Sequence, residues 1–219
     1  LFIINYVFIQ KLLKKIKMEL FATREATSED ISSILDIQSS RLLDNLTQKD
    51  ILITQDIQKI VQDGFLVHPM DMNYIQDLMR SEDNIVEIVL YQNQIIWYIV
   101  LYDLCMQEEE RWNRLSLEVR KKIPQWKKII YWKHVAIKAW FDAMGLGTFL
   151  EKKSFEKAKN KWFDYLLMEV AKSVKRDWNE FANQRSMQYH INRWFEKIWE
   201  ITYGEKESLE IWHVMLKKL

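Results

Sequence analysis

Residues 134–150 read HVAIKAWFDAMGLGTFL. A β-branched run, Val135-Ala136-Ile137, passes through a polar turn into Gly145-Leu146-Gly147-Thr148, where an amphipathic helical pattern begins. The order is strand, glycine turn, helix. Glycines let backbone N–H groups approach a ligand closely, and the unpaired amides of a helix N-terminus carry partial positive charge, so this order builds an anion site. Taken alone, the same residues also describe an ordinary helix entry that needed glycine.

The flanks decide between the two. Val135-Ala136-Ile137 followed by Asp142-Ala143-Met144-Gly145-Leu146-Gly147 resembles the acetyl-CoA motif of the GNAT superfamily of N-acetyltransferases, a strand ending V-x-[VI] and then [QR]-x-x-G-x-[GA] opening a helix. Both glycines are present. Asp142 departs from the pattern, and a carboxylate there repels a pyrophosphate. Further on, NQRSMQYHINRWF (183–195) resembles the second GNAT motif, N-x-x-[AS]-x-x-[FL]-[YH]-x-x-x-G-F, with Asn183, Ser186, Tyr189, His190 and Phe195 matching and Trp194 in the glycine position. Two motifs in the right order on either side of a strand are more specific than either alone.

Around them the chain reads as one α/β domain. Leu20–Ala26 suits a first strand, and Thr27-x-x-Asp30 is a capping signal before Ile31, Ile34 and Leu35 at helical spacing. Residues 41–62 read as continuing helix, broken by Gly64, with another helix from Met72 to Met79. Ile85–Tyr91 and Gln94–Tyr102 form a hairpin about Gln92-Asn93. A short helix is expected near Leu115–Lys122, then a strand at Ile129–Ile137 and a helix after the glycine turn. Tyr165–Ala171 has the apolar run of a central strand, 172–182 reads as a polar insertion, and Ile198–Tyr203 with Leu209–Leu216 as a closing hairpin. The resemblance, which covers residues 19–219, implies a GNAT fold: a mixed, mostly antiparallel sheet splayed at a parallel pair, with helices on both faces.

Composition narrows the function. The 219 residues carry 32 basic and 31 acidic side chains, net charge +1, and no basic stripe with interleaved aromatics, so nucleic acid is not an expected partner. One cysteine, Cys105, rules out an internal disulfide framework and suits a reducing cytoplasm. No apolar run approaches the ~20 residues that span a bilayer. Residues 1–17, LFIINYVFIQKLLKKIK, read as an extension that does not belong to the domain, with Met18 as its natural start. The run Glu108-Glu109-Glu110 reads as a solvated helix face or an attraction for amines.

The resemblance implies transfer of an acetyl group from acetyl-CoA to a primary amine, of a small molecule or a protein, without a metal. Val135, Ala136 and Ile137 would meet the thioester, with a backbone amide as oxyanion donor. Asp142, Ala143, Met144, Gly145, Leu146, Gly147 and Thr148 would surround the pyrophosphate. Asn183 and Ser186 would contact the cofactor arm, and His190 takes the slot of the acid that protonates the leaving thiolate. Tyr131 is the chosen base, ahead of His134, Glu169 or ordered water. The alternatives are a catalytically silent acyl-CoA-binding module and a protein-interaction scaffold; the protomer would act as a monomer or homodimer.

Glycine is scarce. Average usage gives about fifteen in a chain of this length, yet there are 4, against 10 tryptophans. Trp97, Trp162, Trp194 and Trp199 fall where GNAT sequences carry glycine. One explanation is a UGA codon that the source organism reads as glycine and that was rendered as tryptophan; true divergence is the other.

Overall fold

The computed structural model describes residues 20–48, 54–104, 117–124, 126–138, 141, 146–176, 179–204 and 209–219. The extension at 1–17, Cys105, the run 108–110 and Asp142, Ala143, Met144 and Gly145 lie outside them.

Strand β1 (Phe21–Glu25) leads into the expected capping box, in which the Thr27 backbone N–H donates to the Asp30 carboxylate at 2.7 Å, and then into helix α1 (Ile31–Ser39). Ile31, Ile34 and Ile37 form its buried face. The long helix expected over 41–62 is not there. Leu42 is extended, because Leu43 N–H donates to the Leu66 carbonyl and Leu66 N–H to the Arg41 carbonyl, both at 2.8 Å. These partners, some two dozen residues away, claim the backbone groups that a continuous helix would use. What remains is a single turn, α2 (Leu43–Leu46), and α3 (Thr54–Asp63), which ends at Gly64 with φ +74°.

Helix α4 (Met72–Arg80) is capped by Asp71, whose carboxylate accepts from the Tyr74 N–H. Strands β2 (Ile85–Tyr91) and β3 (Gln94–Asp103) form the expected hairpin, with both turn residues, Gln92 and Asn93, at positive φ as a two-residue hairpin turn requires. Then come α5 (Leu117–Lys122), β4 (Ile129–Ile137), α6 (Leu146–Asn160) and β5 (Tyr165–Arg176). The segment 172–182 is not a polar insertion. Strand β5 runs through it and turns back as β6 (Asn179–Ala182), because Val174 and Phe181 are buried against Leu43, Ile60 and Phe65. Helix α7 (Gln184–Ile191) and the hairpin β7 (Glu196–Tyr203) and β8 (Glu210–Lys218) complete the chain.

The sheet order is β1-β2-β3-β4-β5-β8-β7, with β6 paired to β5. Among the described strands only β4 and β5 pair in parallel. One face is covered by α1 and α4, through Ile34, Ile37, Ile75 and Leu78 packed on Tyr98, Val100 and Leu167. The opposite face is covered by α6, through Leu150, Phe155 and Ala158 on Ile99, Trp132 and Leu166. Helices on both faces of a mixed sheet are what the sequence motifs imply.

The tryptophans divide into two groups. Trp162 and Trp194 each follow a helix at φ +65°, the left-handed region. In both cases the next residue, Phe163 or Phe195, is buried and returns its N–H to the carbonyl five residues back (Ala158 or His190), the bonding of a Schellman cap. Trp126 has the same backbone, φ +64°. The three side chains are 85%, 89% and 99% exposed for Trp162, Trp194 and Trp126. Trp97 and Trp199 instead lie within β3 and β7, outside the left-handed region, so the conformational case for glycine does not extend to them.

Candidate active site

Strands β4 and β5 are joined by four rungs, from Ile129 opposite Tyr165 to Trp132 opposite Met168. Beyond that both strands continue and no longer pair. β4 stays with β3 as far as Ile137 opposite Trp97, and β5 stays with β8 as far as Val174 opposite Glu210. The sheet therefore opens in a V whose vertex is the Trp132–Met168 rung. At the vertex β4 carries a bulge, with Lys133 as the extra residue between the partners of Val100 and Leu101.

Lys138 N–H donates to the Ile96 carbonyl of β3. Alternation along the strand then turns the backbone groups of Val135 and Ile137 the other way, into the V. The Ile137 carbonyl there accepts from Arg41 Nε at 2.8 Å. The Val135 N–H thus points into the V, whereas Ala136 faces β3 with its backbone.

The start of α6 sits against α7. A Cβ on Gly147 would lie 2.8 Å from the Tyr189 hydroxyl and 3.3 Å from Trp97, so this glycine is required by close helix packing rather than by a left-handed backbone. Tyr189 donates to Glu151 at 2.8 Å, Arg193 pairs with Glu151 through Nε, stacks 3.5 Å above the Tyr189 ring and reaches the exposed Thr148 hydroxyl. A cation thus stands at the first turn of α6. Burial raises the Glu151 carboxyl above its usual range and the Tyr189 hydroxyl above its own.

Asn183 precedes α7. Its N–H donates to the Lys172 carbonyl and its Nδ2 to the Phe65 carbonyl at 3.4 Å, while Oδ1 is buried without a partner. An unpaired buried amide oxygen is costly; this one lies against Gly64, 3.5 Å from where a Cβ on that glycine would stand. Ser186 is half-buried one turn further along.

His190 stands at the vertex, edge-on to Trp132 with ring centroids 5.1 Å apart, and packed on Phe195. It is 3% exposed, and its Nδ1 has no partner. Burial, then the cations of Arg193 and Lys217, lower its pKa to about 3. The imidazole is therefore neutral at physiological pH and holds no charge-carrying proton in advance. The aromatic box explains this, since it desolvates the ring without supplying a carboxylate.

Tyr131 is corrected as a base. It is opposite Leu167, one rung below the vertex where the strands are still paired, and its buried ring packs on Tyr102 at 5.2 Å. His134 is structural too. Its Nε2 bonds to the His68 carbonyl, which can only accept, so Nε2 carries the proton and Nδ1 accepts from the Tyr98 hydroxyl at 2.8 Å. Burial lowers its pKa to about 4.

Among solved structures the chain is similar to a ribosomal-protein-alanine N-acetyltransferase from Brucella melitensis, at 14% identity over 90% of this chain and 99% of that one, TM-score 0.58. It is similar to an acetyltransferase of the GNAT family from Streptococcus pneumoniae, at 14% identity over 91% and 99%, TM-score 0.55. The fold is that of the GNAT N-acetyltransferases. A putative acetyltransferase from Salmonella typhimurium, solved with acetyl-CoA, has the same GNAT architecture at 11% identity over 91% and 94%, TM-score 0.58. No family model matches the sequence, and no curated protein does.

Several residues of the site were not singled out by the sequence. The Tyr189-x-x-x-Arg193 spacing places both side chains on one helix face and was a usable signal; Glu151, Arg41 and His68 enter through contacts too distant in the chain to be read locally. Among the described residues no cluster of three or more His, Cys, Asp or Glu could hold a metal, and no helix is long and apolar enough to cross a membrane.

Proposed function

We propose that the protein moves the acetyl group of acetyl-CoA to a primary amine, of a small molecule or a protein, by direct attack within a ternary complex. The observation that carries this reading is the V itself, with the Val135 N–H turned toward its occupant. Val135 N–H stabilises the charge that develops on the carbonyl oxygen as the amine adds. Asn183, held by the Phe65 carbonyl, orients the start of α7 beside the arm, and the α6 N-terminus with Arg193 faces the phosphates. His190 meets the departing sulfur with a neutral N–H, so the protons needed to quench the thiolate come from the attacking amine or solvent. The neutral His190 also favours a second reading, a silent acyl-CoA-binding module; thiol release in the presence of amines separates the two.

The test is calorimetric titration of acetyl-CoA, with Thr148→Glu alongside. A carboxylate in the first turn suits the helix dipole, so the variant should fold at least as well, yet it repels phosphate. We expect micromolar binding by the parent and affinity at least tenfold weaker in the variant. Equal affinity in both would remove the α6 N-terminus from the site, and absence of binding by the parent would overturn the reading.

A further inference from the structure

We propose that Lys133 is a self-acetylation site, taking the acetyl group from the acetyl-CoA bound in its own V, an assignment that rests on the acetyl-transfer reading above. Lys133 is the extra residue of the β4 bulge, next to the last rung before β4 and β5 part. The bulge decides its direction. Trp132 packs in the cluster under α6, whereas His134 bonds to Tyr98, a member of the cluster under α1 and α4. Lys133 faces the same way as His134, with its Nζ 5.5 Å from the ring centroid of Tyr74 on α4. A bulge sets two successive side chains against one partner residue, and here it turns the lysine to the α1 and α4 face of the vertex.

The phosphate-side groups are all on the other face: the α6 N-terminus, Tyr189, Arg193 and His190. A cofactor arm entering from there leaves the α1 and α4 side of its carbonyl open to an amine. Lys133 places one there. Val135, whose N–H points into the V, is two residues further along β4, about 6–7 Å of strand, a span that a four-carbon stem covers. The Tyr74 ring holds the half-buried side chain beside the V by a cation–π contact, which a change of rotamer releases. Two other lysines near the vertex strands are directed elsewhere. Lys172 reaches Glu200 on β7 at 3.5 Å, and Lys217 Nζ donates to the Arg193 carbonyl at 2.7 Å.

In the step itself the neutral Lys133 nitrogen forms the N–C bond to the acetyl carbon. The C–S bond breaks with its electron pair going to sulfur, the nitrogen gives up a proton to water in the open V, and the thiolate takes one from solvent. The products are an amide on Lys133 and free CoA. The chain thereby removes a cation from the face by which an amine acceptor arrives, so the modified protein repels a protonated acceptor less.

Peptide mass spectrometry after incubation with acetyl-CoA alone tests the assignment without knowledge of the acceptor. We expect Lys133 to be acetylated about tenfold or more faster than any exposed lysine, as proximity to a bound thioester dictates. The rate should not change with protein concentration, and excess desulfo-CoA, which lacks the thioester, should suppress it. Acetyl phosphate, which needs no place in the V, should show no such preference for Lys133. Lys133→Arg keeps the charge and the ring contact, so it should bind acetyl-CoA as the parent does in calorimetry while losing the dominant acetyl mark. Acetylation spread over exposed lysines, a rate that rises with protein concentration, or an unmodified Lys133 in a protein that binds acetyl-CoA would overturn the assignment and leave the acetyl-transfer reading standing. A parent protein that does not bind acetyl-CoA would overturn both.

Discussion

Arg193→Leu should cost about 3–5 kcal/mol at pH 7, because it strips the cation from a carboxylate that stays buried. Glu151 is 4% exposed, one of its oxygens already lacks a partner, and the other is held by Arg193 and Tyr189. Without Arg193 only the tyrosine hydroxyl still bonds that oxygen, with Lys217 acting on it from a distance as a cation. The pH dependence has a definite sign. Burial raises the Glu151 carboxyl in the folded chain above its unfolded value, and loss of Arg193 raises it further. The folded state then holds the proton more tightly than the unfolded state, so stability falls as pH rises from the ordinary carboxylate range toward the raised folded value. The deficit of the variant should accordingly be small where Glu151 is protonated in both states and grow toward neutral pH. Urea denaturation of parent and variant at pH 4 and pH 7.5 measures it. Glu151→Leu with Arg193→Leu should recover most of the loss, as apolar replacement of a whole buried pair commonly does. A deficit under about 1 kcal/mol, or one that does not change with pH, would show that Arg193 is a surface neighbour rather than the counterion of Glu151.

The same pair illustrates what a linear reading reaches. The strand that ends at Ile137 and the helix that begins at Leu146 were legible because β-branched residues and a 3.6-residue period are local signals, and the hairpin at Gln92-Asn93 likewise. The break at Leu42 was not, since its cause is a pair of hydrogen bonds to Leu66. The β5–β6 hairpin was hidden by the polarity of Lys172 and Lys175, which masked the buried Val174 and Phe181. At the site, motif position singled out Asn183, before α7, and His190, near its end. It did not reveal that Trp132 and Phe195 box the histidine and keep it neutral, or that Tyr131 sits below the vertex, because both depend on which rung is the last one paired. Gly147 shows a right residue with an additional reason: the phosphate motif asks for glycine, and so does the Tyr189 hydroxyl.

Replacing Trp126, Trp162 and Trp194 together by glycine should stabilise the protein by about 2–3 kcal/mol, since an L-residue held in the left-handed region costs roughly 1 kcal/mol or more relative to glycine. The usual reason to keep a tryptophan is its buried area, and here that reason is missing, with all three rings at least 85% exposed. The buried partners of the two helix caps are Phe163 and Phe195, which the substitutions leave untouched. For a chain of about this size 1 kcal/mol corresponds to roughly 2–4 °C, so the triple variant should melt several degrees above the parent in calorimetry, and with less aggregation because exposed aromatic surface is removed. Trp97→Gly is the contrasting control: its ring is buried against Val89 and Gly147, so the same change there opens a cavity and should destabilise. A triple variant no more stable than the parent would mean that the rings make contacts in solution that offset the backbone strain. The gene offers an independent check on the origin of these residues. UGA at positions 126, 162 and 194 would identify them as glycines rendered as tryptophan, and UGG at all three would establish that the chain carries the strain as a genuine feature of its own evolution.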